Sequence, residues 1–86
     1  MIIHIDSSVV DIKSFYGIFA EFNAGFCGHS LDAVHDVLTE QSDEFEVVLG
    51  TESLRRLFGN RSSTVIRMFT DSAEENPFMK LTLTDD

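Results

Sequence analysis

Apolar residues along this chain recur with two different periods, and the alternation between those periods orders the elements. Residues 2–6, Ile-Ile-His-Ile-Asp, are short and β-branched, and Ser7-Ser8 follow, which predicts a strand. Ile12, Phe15, Tyr16, Phe19 and Phe22 then recur at three- and four-residue spacing, which predicts an amphipathic helix over about 11–23, ended by Asn23-Ala24-Gly25. The loop Phe26-Cys27-Gly28-His29 leads to Ser30, a good N-cap for a second helix over about 31–40. Phe45-Glu46-Val47-Val48-Leu49 reads as a second strand, closed by Gly50. Thr51 is expected to cap a short helix carrying Leu54, Leu57 and Phe58, with Gly59 where a glycine ends a helix. Ser62 or Ser63 opens a fourth helix, with Val65, Ile66, Met68, Phe69 and Ala73 on one face. Pro77 lies beyond its end, and Phe78-Met79-Lys80-Leu81-Thr82-Leu83 alternates as a final strand.

The order is strand, two helices, strand, two helices, strand. Strands joined through helical crossovers are usually parallel, with the crossover packed right-handed on the sheet. The expectation is an α/β fold: one domain over 1–86, a three-stranded parallel sheet packed by about four helices. His4, in the first strand, either points outward or sits hydrogen-bonded under a helix.

The second helix has a face that works against its own folding. At roughly 100° per residue, Leu31, Val34, Val37 and Leu38 fall on one side. Asp32, Asp36 and Thr39 fall on the other, with His35 at the boundary. Asp32 and Asp36 are like charges one turn apart, which costs a helix on the order of 0.2–0.5 kcal/mol. The positive end of the helix offsets part of that for Asp32. Such a face is either solvated and tolerated, or kept for a cationic partner. Phe26 in the loop and His35 on the helix set flat rings beside the carboxylates, as tight interfaces do.

Charge narrows the partner. With 15 acidic and 6 basic side chains the net charge is −9. No basic stripe exists to displace phosphate counterions, which argues against nucleic acid and equally against anionic membranes. A basic protein is the natural partner, although acidity also simply keeps a small protein soluble. The apolar fraction of 43% and eight Phe suffice for one core, which is all that 86 residues support. The single Cys27 can form no intramolecular disulfide. The opening Met-Ile-Ile-His-Ile-Asp lacks the basic region of a signal peptide, and no apolar run approaches spanning length. A cytoplasmic protein is expected.

The run Gly28-His29-Ser30-Leu31-Asp32-Ala33-Val34-His35-Asp36-Val37-Leu38-Thr39 resembles the loop-and-helix motif of the barstar family, Gly-x-x-Leu-Asp-Ala-Leu-x-Asp-x-Leu-Thr. Gly28, Leu31, Asp32, Ala33, Asp36, Leu38 and Thr39 match it, and Val34 replaces a Leu. A looser match includes the opening strand, Val47-Val48-Leu49 and Val65-Ile66-Arg67-Met68-Phe69. The resemblance implies a barstar-like fold and an inhibitor, without cofactor, that plugs the active site of a basic ribonuclease or ribonuclease toxin as a 1:1 complex. Phe26, Cys27, Gly28, Ser30, Leu31, Asp32, His35, Asp36, Thr39 and Asp71 are the implied partner-binding residues. In that reading Asp36 enters the enzyme's phosphate site and Asp32 pairs with a cation at the rim. Phe26 lies where the family carries a stacking Tyr, and Asp71 where it has a peripheral Glu. His35 departs from a Trp in the best-known member, and Cys27 replaces a second aromatic, so a different enzyme is expected.

Other chemistries are open to the same stretch. Gly28-His29-Ser30-Leu31 also resembles the carrier-protein signature whose Ser accepts a phosphopantetheine arm, but carriers are helical bundles and three segments here read as strands. Cys27, His29, Asp32, His35 and Asp36 are metal-ligand types, at no known zinc spacing. Cys27 and His29 as nucleophile and base lack a third, orienting residue. Asp32 and Asp36 as an acid–base pair would need a cleft to desolvate one of them. Arg55, Arg56 and Arg61 form a small basic cluster that balances neighbouring acids. The chain reads as a binding protein and not an enzyme.

Overall fold

Each apolar stripe meets the others in one core. The computed structural model describes residues 1–23 and 28–86. In chain order the elements are β1 (Ile2–Ile5), α1 (Ile12–Phe22), α2 (Leu31–Glu40), β2 (Phe45–Gly50), α3 (Thr51–Phe58), a 3₁₀ turn (Gly59–Arg61), α4 (Ser62–Glu75) and β3 (Met79–Thr84). The strands lie in the order β1-β2-β3 and are parallel throughout. Ile3 stands opposite Val47 and Val47 opposite Leu81; Ile5 stands opposite Leu49 and Leu49 opposite Leu83. The protein is therefore α/β with a three-stranded parallel sheet, as the alternating periods predict.

Ile3, Ile5, Phe45, Val47, Leu49 and Met79 form the buried face of the sheet and pack with Phe15, Phe19, Val34, Leu38, Leu54, Val65 and Phe69 from the helices. Phe15 is the aromatic hub. Its ring meets those of Tyr16, Phe19 and Phe58 edge-on, at centroid separations of 5.2, 5.3 and 5.0 Å. Such pairs add to the stabilisation from area burial alone.

The sheet is not covered on both sides, as an all-parallel sheet usually is. On the outer face Ile2, His4 and Lys80 are exposed, and Glu46, Val48 and Thr82 are half-buried. His4 points outward. β1 and β2 alternate buried and more exposed positions, and that pattern suits one packed face.

One helix cap departs from the sequence reading, and two other helix starts show how they are closed. Asp11, not anticipated as a cap, accepts the Ser14 backbone N–H at 2.7 Å and starts α1. Thr51 is not the cap of α3. Gly50 holds that position without a side chain, and the closing groups come from the end of the chain. The Ser53 N–H donates to the Asp86 carbonyl at 2.8 Å, and the Thr51 hydroxyl donates to the Thr84 carbonyl at 3.0 Å. Ser62 opens α4, as expected, without a side-chain cap, because the 3₁₀ turn runs straight into it with Arg61 at the boundary. Gly59, at φ +57°, is where the chain leaves α3, in backbone space that a side chain disfavours.

Asn76 ties the second helix to the last strand. It is 3% exposed. Its Nδ2 donates to the carbonyls of Leu38 at 2.8 Å and Gln41 at 3.0 Å, and its Oδ1 accepts the Phe78 N–H at 3.0 Å. Of the free carbonyls at the end of α2, that of Leu38 is thus answered by a side chain beyond α4 and that of Val37 by Gln41 Nε2.

Candidate functional site

Ser30 starts α2 with extended backbone, φ −133° and ψ 159°, and its Oγ accepts the Ala33 N–H at 3.2 Å. That is the capping role, engaged as the sequence reading expects. Val34, Val37 and Leu38 are buried, and Leu31 packs half-buried against the core. The opposite side is left to Asp32 and Asp36, both exposed, with Glu40 exposed one turn further on.

Asp32 stands in the first turn, where the helix dipole favours a carboxylate. Asp36 has 75% of its side chain exposed, and its only ion-pair neighbour among the described residues is His35 at 3.9 Å. Both carboxylates face water and can receive the fork of an arginine or an ammonium. Thr39 is differently employed. Its hydroxyl donates back to the His35 carbonyl at 2.9 Å and lies 3.3 Å from that of Asp36.

His35 does not stand free as a flat ring. Its Nε2 is bonded to the Glu75 carboxylate on α4, while Nδ1 faces Asp36. The imidazole bridges two helices and two acids. When protonated it is paired on both sides, and when neutral it still holds one hydrogen bond to Glu75.

The helices α2 and α4 together build the surface. Asp32, His35, Thr64, Arg67, Met68 and Asp71 line a shallow cavity of about 310 Å³ between them. Asp71, indicated in the sequence only by resemblance, thus comes beside Asp32 and His35. Arg67, Asp71 and Glu75 follow one another at four-residue spacing, so they share a stripe of α4. Glu75 and Arg67 escaped the sequence reading; that spacing on a predicted helix was the available signal. The face offers four carboxylates, Asp32, Asp36, Asp71 and Glu75, with Arg67 among them and Arg61 beside Asp32.

Gly28 is half-buried and His29 exposed, the latter ring edge-on to Tyr16 at 6.2 Å. Phe26 and Cys27, both expected at the partner surface, lie outside the described residues. So does the nucleophile of the Cys27–His29 pair. Among the described residues no group of three His, Cys, Asp or Glu side chains is arranged to hold a metal ion. Among them, too, no helix is long and apolar enough to cross a membrane. The parallel sheet speaks against the helical-bundle carrier for which Ser30 would be the attachment point.

Searched against protein-family models and against curated proteins, the chain matches none.

Proposed function

We propose that this chain is a barstar-like inhibitor of the immunity type, which occludes the active site of a basic ribonuclease or ribonuclease toxin with α2 and the loop before it. The observation that carries the reading is the two-helix acidic face. Exposed carboxylates of α2 are joined by Asp71 and Glu75 of α4, with Arg67 among them. Such a face is complementary to a phosphate-binding cleft, whose arginines and lysines are already arranged for anions. Asp36, with 75% of its side chain exposed, is the residue to enter that cleft. Asp32 and Asp71 meet cations at its edge.

His35 acts here less as a stacking ring than as a strut. Its contact with Glu75 fixes the separation of α2 and α4 and holds a ring beside Asp36. Selection among nucleases then depends on the loop ahead of Ser30 and on this strut, the positions that depart from the family pattern.

The test is co-purification with, and inhibition of, the product encoded next to this chain, which is expected to be a basic nuclease. Asp36→Ala is expected to weaken inhibition by at least a hundredfold, because it leaves a desolvated cationic pocket unpaired. Unchanged inhibition by this variant refutes the charge-plug mechanism. A cofactor-sized mass gain on Ser30 after treatment with a phosphopantetheinyl transferase would replace the reading with that of a carrier.

A further inference from the structure

A second cavity lies outside the acidic face and has the opposite character. It measures about 370 Å³, between α1, the start of α2 and the junction of α3 with α4. Ile12, Leu31, Leu57 and Phe58 give it an apolar wall, and Tyr16, His29 and Arg61 give it a polar one. No acidic residue lines it. Three other cavities, of about 310 to 470 Å³, each include a carboxylate: Asp32 and Asp71, Asp32, or Glu44 and Glu46. In a protein of net charge −9 this is the one of the four whose only charged lining group is a cation.

The walls are set by the fold. Phe58 is braced edge-on against the buried Phe15, and the Tyr16 ring is held edge-on to His29. Ile12 remains 37% exposed, so an apolar group seated here would cover surface that the fold leaves wet. Arg61 has no ion pair among the described residues, where the pairs are His35 with Asp36 and Glu75, and Arg55 with Glu52. Its guanidinium presents a planar fork suited to a carboxylate. The volume lies within the roughly 300–1,000 Å³ of small-molecule sites, at the small end.

We propose that this cavity binds a small apolar carboxylic acid, with its ring or branched chain against Ile12, Leu57 and Phe58 and its carboxylate on Arg61. His29 and the Tyr16 hydroxyl supply further polar contacts beside the carboxylate. Tyr16, His29, Leu31 and Arg61 also line the neighbouring cavity that contains Asp32, so occupancy is felt at the start of α2.

N-acetyl-phenylalanine is the probe, titrated into the full chain and followed by backbone amide NMR. Saturable shifts are expected at His29, Leu31, Phe58 and Arg61, with a midpoint on the order of 1 mM for a ligand this size. The uncharged amide of the same compound should bind on the order of tenfold more weakly, since it forfeits a charge-assisted pair. Arg61→Ala should abolish that preference while leaving the weak binding of the amide, and Arg61→Lys should retain part of it. Absence of saturable shifts overturns the proposal, as does equal binding of acid and amide, or a preference that survives Arg61→Ala. None of these outcomes depends on whether a nuclease binds the acidic face.

Discussion

Removing the Asn76 side chain should damage this protein out of proportion to its size. Asn76→Ala deletes two donations, to the Leu38 and Gln41 carbonyls, and one acceptance, from the Phe78 N–H. Each such bond is worth about 0.5–1.5 kcal/mol net, and the Leu38 carbonyl, in buried surroundings, loses its side-chain donor. We expect a loss of about 3 kcal/mol, a large part of the roughly 5–15 kcal/mol available to a domain. At about 4–8 °C per kcal/mol, the thermal midpoint should fall by roughly 10–20 °C. Urea unfolding should register the change as a lower midpoint with an unaltered slope. Asn76→Asp is the sharper probe, because it keeps the acceptor for Phe78 but sets a carboxylate against two carbonyl oxygens. It should be worse than Ala at neutral pH and recover as pH falls towards about 4, where protonation restores a donor. Losses below about 1 kcal/mol for Ala, with Asp no worse, would refute this account of the α2 terminus.

Other expectations follow from single contacts. The Ser14 N–H lowers the pKa of Asp11, and the Ser8 hydroxyl and N–H lower that of Asp6. Their stabilisation is therefore complete above the unfolded value, near pH 4, and is lost as pH falls through the lower folded values. Asp11→Ala should accordingly melt lower than the parent at pH 7, with the gap closing in acid; a pH-independent gap would contradict the cap. Gly50→Ala places a Cβ 2.4 Å from the Asp86 carbonyl oxygen and 2.8 Å from that of Ile5, so chemical denaturation should register a loss of about 1–3 kcal/mol. Tyr16, the only tyrosine, has its pKa raised by burial and partly lowered again by Arg61. Its ultraviolet titration should lie above the free-tyrosine range and move higher still in Arg61→Ala; an unmoved midpoint would mean that Arg61 does not act on the ring.

Much of the fold was legible because burial here follows periodicity. The five apolar positions of α1 and the alternation of β3 each identify one element, and the helical crossovers lead to parallel pairing. The helix starts were less legible. A Thr after a strand is a reasonable cap by local statistics, yet at Thr51 the carbonyl it meets belongs to Thr84, and no local rule anticipates a partner 33 residues away. Asp32 and Asp36 could be found from their spacing, since exposure on one helix depends on that helix alone. Glu75 could not be assigned to His35 in the same way. Their meeting depends on how α2 lies against α4, a tertiary fact. Asn76 was hidden for a related reason: a lone Asn before a Pro reads as a turn residue, and its three bonds exist only once both helices are in place.

The closure of α3 by Thr84 and Asp86, which follow from β3, couples the opening of that helix to the opening of the strand. The first turn of this helix has no side-chain cap of its own, and its Ser53 N–H is answered by Asp86. The opening turn of α3 is therefore complete only when β3 lies beside β2 and brings Asp86 to Ser53. Native-state hydrogen exchange should therefore find the Ser53 amide opening together with the carboxyl-terminal strand and not with the remainder of its own helix. The opening turn of an eight-residue helix thus reports on the docking of a strand far along the sequence.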